Sequence, residues 1–116
     1  MAEIEFFWKP ACSTCRNARA YLLEQGATLR ERDFFRQRFS VEELQALLGD
    51  RPVADLFSWK SVLARQRGYQ PGSLSDDEML RLMVEEPSLI RRPFVRAGER
   101  LVAGFDKPAL NEIAHQ

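Results

Sequence analysis

Cysteine and histidine are scarce here, and charge of either sign is missing in sum. The 116 residues hold two cysteines, one histidine and no net charge. Two cysteines are too few for the disulfide framework of a small secreted scaffold. A structural zinc site usually takes four ligands, and two cysteines with His115 fall short of that, so no metal is expected. Seventeen basic residues balance seventeen acidic ones, which removes the bulk electrostatic case for direct nucleic-acid binding. No apolar run approaches the ~20 residues that span a bilayer. Residues 1–7 lack the basic start and apolar stretch of a signal peptide. The expectation is a cytoplasmic chain with no membrane partner. Also absent are a Gly-rich phosphate loop, an HExxH pair and a Ser-centred elbow.

What is present suffices for one core. Hydrophobic residues make up 45 %, with eight phenylalanines and two tryptophans, and charged residues 29 %. That length and composition predict a single domain over residues 1–116. The stretch IEFFW before Lys9-Pro10 predicts a strand. Residues 13–25 predict a helix with Cys15, Ala18, Tyr21 and Leu22 on one side, ended by Gly26. Residues 28–35 predict a second, solvent-edged strand. Ser40 with Glu43, and Ser75 with Glu78, carry capping-box spacing. Leu44, Leu47 and Leu48 follow the first, with Gly49 as its stop. Met79, Leu80, Leu82 and Met83 follow the second. Residues 51–70 read as short helix and loop. Two apolar segments around Ala97-Gly98-Glu99 predict a hairpin. Asp106 then caps a last helix that turns Leu110, Ile113 and Ala114 inward. The order is β-α-β, a helical middle, then β-β-α.

The chemistry concentrates in Cys12-Ser13-Thr14-Cys15, between the first strand and the first helix. A helix start offers unpaired N–H groups and partial positive charge, which favour a thiolate. Cys12 stands there and is the expected nucleophile. Cys15, about one turn on and on the same side, is placed to resolve a mixed disulfide on Cys12. The plainer readings are two small core hydrophobes or zinc ligands. Arg16 and Arg19 lie in the same helix, with no direction fixed by sequence. Arg92-Pro93 is the second feature. A guanidinium matches an oxyanion well, and Arg92 with the helix start would form an anion pocket, to which Lys9 and Lys60 are further candidates. The plain reading is a helix-to-strand turn with exposed arginines, and the Arg92-Pro93 isomer is open at this point. Trp59-Lys60, with Arg65 and Arg67, reads equally as a protein-binding surface or a solvated helix face.

The segments FFWKPACSTCRNARAYLLEQG, SVEELQALL, PSLIRRPFV and GERLVAGFDKPAL resemble the arsenate reductase/Spx family, in the family's order and over nearly the whole chain. The resemblance implies a thioredoxin-like α/β fold with a mixed central sheet and a helical insertion at about residues 40–86. It also implies a cis Arg92-Pro93 bond, with Pro93 supporting the site. In the family's glutaredoxin-dependent arsenate reductases, one cysteine at the helix start attacks arsenic, matching Cys12, and three arginines assist. The one before the proline matches Arg92. Trp59 stands at the second, beside Lys60, which keeps a charge but not a bidentate fork. Residues 102–105 supply no third.

The resemblance therefore implies a thiol-disulfide oxidoreductase rather than arsenate reduction itself. No cofactor is expected to be bound. Glutathione, glutaredoxin or thioredoxin would donate electrons, and a thiol-redox protein or a small thiol or oxyanion would be the partner. The Cys12/Cys15 pair equally resembles Spx-type regulators, which use CxxC as a redox switch and bind the C-terminal domain of the RNA polymerase alpha subunit. Gly49, followed by Asp50 and Arg51, lies where those regulators carry a glycine and a polar contact surface, although a helix cap explains Gly49 as well.

Overall fold

A computed structural model describes residues 3–116. The strands are β1 (Glu3–Trp8), β2 (Thr28–Asp33), β3 (Phe94–Ala97) and β4 (Arg100–Ala103). The helices are α1 (Ser13–Glu24), α2 (Val41–Leu48), α3 (Val62–Gln66), α4 (Asp76–Glu85) and α5 (Lys107–Ala114), with 3₁₀ turns at Val53–Asp55 and Pro87–Leu89. This is a thioredoxin-like α/β fold with an extra helical segment between β2 and β3. The chain divides into two compact units. One runs to Gln37 and resumes over Arg92–Gln116; the other is Arg38–Arg91.

The first unit is built on a mixed sheet of order β2-β1-β3-β4. β1 pairs parallel with β2 and antiparallel with β3, and β3 pairs antiparallel with β4. Alternation along β1 puts Ile4 and Phe6 on one face and Phe7 on the other. On the first face Ile4, Phe6, Val95, Ala97 and Val102 pack with Ala18 and Leu22 of α1 and Leu110, Ile113 and Ala114 of α5. On the second face Phe7 and Phe94, opposite each other in register, stack with ring centroids 4.5 Å apart. The Gly98-Glu99 turn closes the β3–β4 hairpin, with Gly98 at φ 60°, a conformation L side chains rarely adopt.

One expectation needs correction. β2 ends at Asp33, not at residue 35: Asp33 Oδ1 accepts the Phe35 N–H at 3.0 Å, and its carbonyl accepts the Gln37 N–H at 2.9 Å. An aspartate that bonds the backbone two residues on makes a turn, and it stops the ladder here. Tyr21, on the expected side of α1, packs half-buried against the first core, and Leu82 is half-buried.

The second unit is helical. Both capping boxes form: the Glu43 and Glu78 amides donate to Ser40 Oγ and Ser75 Oγ at 3.1 and 3.2 Å, and each glutamate accepts from its serine's N–H at 3.0 Å. Leu44, Leu48, Leu56, Phe57, Met83 and Ile90 fill its core. The Ser58 N–H donates to Leu89 O at 2.7 Å and the Arg91 N–H to Leu56 O at 2.8 Å, tying the segment's end to its middle. No described helix is long and apolar enough to cross a membrane.

Candidate thiol site

Pro10 has no N–H to extend a ladder, and the chain turns as β1 ends. The Cys12 N–H donates to Lys9 O at 2.9 Å, and the Arg16 guanidinium donates to Pro10 O at 2.9 Å. Arg16 thus braces the loop that presents Cys12. Arg19 is committed elsewhere, in a two-pronged bond to Glu31 at 2.9 and 3.1 Å. Cys12 is the N-cap of α1, with extended backbone at φ −83°, ψ 121°. It is half-buried, whereas Cys15, in the first helical turn, is 0 % exposed. Both are free thiols.

Their environments drive their acidities apart. Burial opposes the Cys12 anion, but the Cys15 backbone, the Cys15 side chain and the Thr14 backbone all hydrogen-bond to it. With Arg92 adding its positive charge, these hold the thiol below its ordinary value. The Thr14 and Cys15 amides that favour the anion are those a helix start leaves unpaired. For Cys15, burial is the largest influence, and the hydrogen bond it gives to Cys12 and the nearby Cys12 charge act in the same direction. A backbone hydrogen bond from Lys9 and the Arg92 charge work against them, yet the thiol is pushed up to about 12. The site therefore favours the anion on Cys12 and the proton on Cys15.

Arg92 acts on both cysteines by its charge, and Lys9 meets them through its backbone. The Arg92 side chain is half-buried, Pro93 is buried, and the peptide bond between them is cis. Phe35, a residue that sequence reasoning passed over, lies under both cations. The Lys9 ammonium stands 4.6 Å and the Arg92 guanidinium 5.4 Å from its ring centroid. Only the Phe34-Phe35 doublet in the sequence hints at it.

Lys60 belongs to the helical unit. With Trp59, Phe57, Pro71, Asp55 and Arg91 it lines an open cleft of about 500 Å³. The Trp59 indole N–H donates to Ala54 O at 3.2 Å, and its ring lies 4.4 Å from that of Phe57. Trp59 is thus part of that unit's packing. His115 pairs with Gln25 Oε1 at 3.2 Å, and the described residues hold no cluster of three or more His, Cys, Asp or Glu side chains able to grip a metal ion.

The sequence profile described as the ArsC family matches residues 7–113, a span that includes Lys9, both cysteines, Phe35 and Arg92. An uncharacterized 15.7 kDa protein in the draG 3′ region of Rhodospirillum rubrum is 33 % identical, over 96 % of this chain and 78 % of its own length. The global transcriptional regulator Spx of Enterococcus faecalis is 30 % identical, over 95 % of this chain and 85 % of its own. Among solved structures, the arsenate reductase from Vibrio cholerae superposes with a TM-score of 0.82 at 30 % identity, covering 97 % of this chain and 98 % of that one.

Proposed function

The chain belongs to the ArsC family, and on that premise we propose that it is a thiol-disulfide oxidoreductase with Cys12 as nucleophile and Cys15 as resolving thiol. The split acidity of two cysteines in one helical turn carries this reading. The Cys12 thiolate attacks one sulfur of a disulfide RS–SR′. A Cys12–SR bond forms, the S–S bond breaks, and R′S⁻ leaves and takes a proton from water. Cys15 then gives up its proton and attacks Cys12 Sγ. The Cys12–Cys15 disulfide forms and RS⁻ leaves with that proton as RSH. The substrate gains two electrons, the dithiol loses two, and a thiol donor such as glutathione, glutaredoxin or thioredoxin returns them.

In this scheme Arg92, held beside Pro93, receives the negative charge of the substrate or leaving group, and Lys9 adds to the same field. The helical segment at about residues 40–86 is an insertion within one domain. Arsenate reduction is outside the proposal, because Arg92 alone matches the family's three assisting arginines and Trp59 fills the second position.

Turnover of a low-molecular-weight disulfide by purified protein, with glutathione or a dithiol as donor, tests the reading. Cys12→Ser should abolish turnover, and Cys15→Ser should accumulate a mixed disulfide detectable by mass. No turnover by the parent with any of these donors overturns it.

Similarity to a transcriptional regulator over 85 % of that protein's length favours one second reading. In it the Cys12–Cys15 couple is a switch governing binding to the C-terminal domain of the RNA polymerase alpha subunit. Negligible binding by both reduced and oxidised protein excludes it.

A further inference from the structure

We propose that Phe35 is a positioning residue of the thiol site: its ring is the seat that holds the Arg92 guanidinium beside Cys12, with the Lys9 ammonium over the same ring. The inference rests on the reading of Cys12 as a reactive thiolate. It starts from two cations over one ring, at 4.6 and 5.4 Å from its centroid. Two like charges repel, so their meeting at one ring calls for an attraction. The negative face of an aromatic ring attracts both.

The seat is itself fixed. Asp33 Oδ1 accepts the Phe35 N–H at 3.0 Å. The neighbouring Phe34 ring, 5.2 Å from that of Phe35, is fully buried and lies 5.9 Å from Phe94. Phe35 is thus anchored to the second face of the sheet by its neighbour, while its own ring stays half-exposed. A half-exposed phenylalanine beneath two cations adds little to the core and is well placed to organise charge.

Both residues touch the thiol site, Lys9 through its backbone and Arg92 through its charge. Lys9 accepts the Cys12 N–H through its carbonyl, and its backbone hydrogen-bonds to Cys15. Arg92 favours the anion at both sulfurs. Three neighbouring charges have partners of their own. Arg16 bonds Pro10 O, the Asp33 carboxylate holds the Phe35 amide, and Arg32 Nε donates to Gln37 O at 3.0 Å. A ring that seats Arg92 tunes the field at Cys12, and with Lys9 over the same ring it makes the approach cationic. The substrates it favours are disulfides carrying carboxylate groups.

Thiolate absorbance of the reduced full chain, followed against pH, reads the ring's effect without turnover. Phe35→Leu should raise the Cys12 midpoint by a few tenths of a pH unit and slow alkylation below that midpoint about two-fold. Phe35→Tyr and Phe35→Trp, which keep a π face, should restore both. Adding Phe35→Leu to a Lys9→Met/Arg92→Ala protein should change nothing further, because the cations through which the ring acts are gone. In the turnover assay Phe35→Leu should raise KM for the dianionic disulfide of 2-nitrobenzoate and leave that for the cationic disulfide cystamine unchanged or lower. A midpoint unmoved by Phe35→Leu, or moved equally with and without the cations, overturns the proposal. If the parent turns over no disulfide but Phe35→Leu still shifts the midpoint, the oxidoreductase reading falls and the positioning role stands.

Discussion

The Cys15 thiol donates its hydrogen bond to the Cys12 sulfur, and that one contact lowers the pKa of Cys12 while raising that of Cys15. The two side chains are one device: the buried thiol keeps its proton because the half-exposed sulfur shares it. Each residue's chemistry should therefore respond to removal of the other.

Cys15→Ala should raise the thiolate midpoint of Cys12, since the anion loses one of its donors. The Thr14 and Cys15 amides remain, so the midpoint should stay below that of an ordinary thiol, ~8.5. Cys15→Ser keeps an O–H donor and should give an intermediate value. Ultraviolet titration of the three proteins checks the order. A midpoint indifferent to Cys15→Ala would mean that the amides alone set it.

Stability should fall at alkaline pH through Cys15. In the folded chain its proton is held to about 12, whereas an unfolded thiol loses it near ~8.5. Between those values the unfolded state binds fewer protons, and stability declines as pH rises. Cys12 has the opposite sign. Its lowered folded value contributes stability that is present above the unfolded value and is lost as pH falls through the folded one. Urea midpoints of reduced wild type and Cys15→Ala at neutral pH and near pH ~10 should show a steeper alkaline loss in the wild type. Parallel losses would show that Cys15 ionises in the fold much as it does outside it.

Arg92→Ala should raise the Cys12 midpoint less than Cys15→Ala does, because the arginine's charge ranks behind the hydrogen bonds among the influences favouring the anion. Arg92 is half-buried, and solvent screens part of its field. Arg92→Lys should recover most of the midpoint, which depends on charge. If Arg92 also grips a carboxylate through its fork, the lysine variant should still bind an anionic disulfide more weakly, as a raised KM. A larger midpoint shift for Arg92→Ala than for Cys15→Ala would reverse this ranking.

The parts of the site that rest on local chemistry were legible in the sequence. Cys12 at a helix start, Cys15 one turn on beside Ala18, and the capping serines Ser40 and Ser75 each depend on residues within a few positions. Burial of Leu44, Leu47 and Leu48 followed from helical spacing. Phe35 was not legible, because it reads as the end of a strand that the Asp33 side chain cuts short. Its relation to Lys9 and Arg92 is tertiary, joining the loop after β1, the turn after β2 and the residue before β3. The isomer of Arg92-Pro93 has no local signal either, since the cis and trans forms of an X–Pro bond differ by only ~0.5–1 kcal/mol; the family resemblance supplied that expectation.

The aromatic stack beneath this site should carry much of the first unit's stability. Phe94 is 0 % exposed, stacks on Phe7 at 4.5 Å and meets Phe34 at 5.9 Å. Phe94→Ala removes the shared member of both ring pairs and leaves a cavity, at a cost of about 3–5 kcal/mol. That is a large share of the ~5–15 kcal/mol typical of a whole domain. Phe94→Leu keeps most of the volume and should cost clearly less. Phe35→Leu, at a half-exposed ring, should cost under ~1 kcal/mol by comparison with typical surface changes. Urea unfolding at constant slope compares the three. The same proteins should order differently when Cys12 is titrated: Phe94→Leu should leave the midpoint close to wild type, while Phe35→Leu moves it. Equal stability losses at Phe94 and Phe35, or a midpoint that follows stability, would make both rings parts of one core and nothing more.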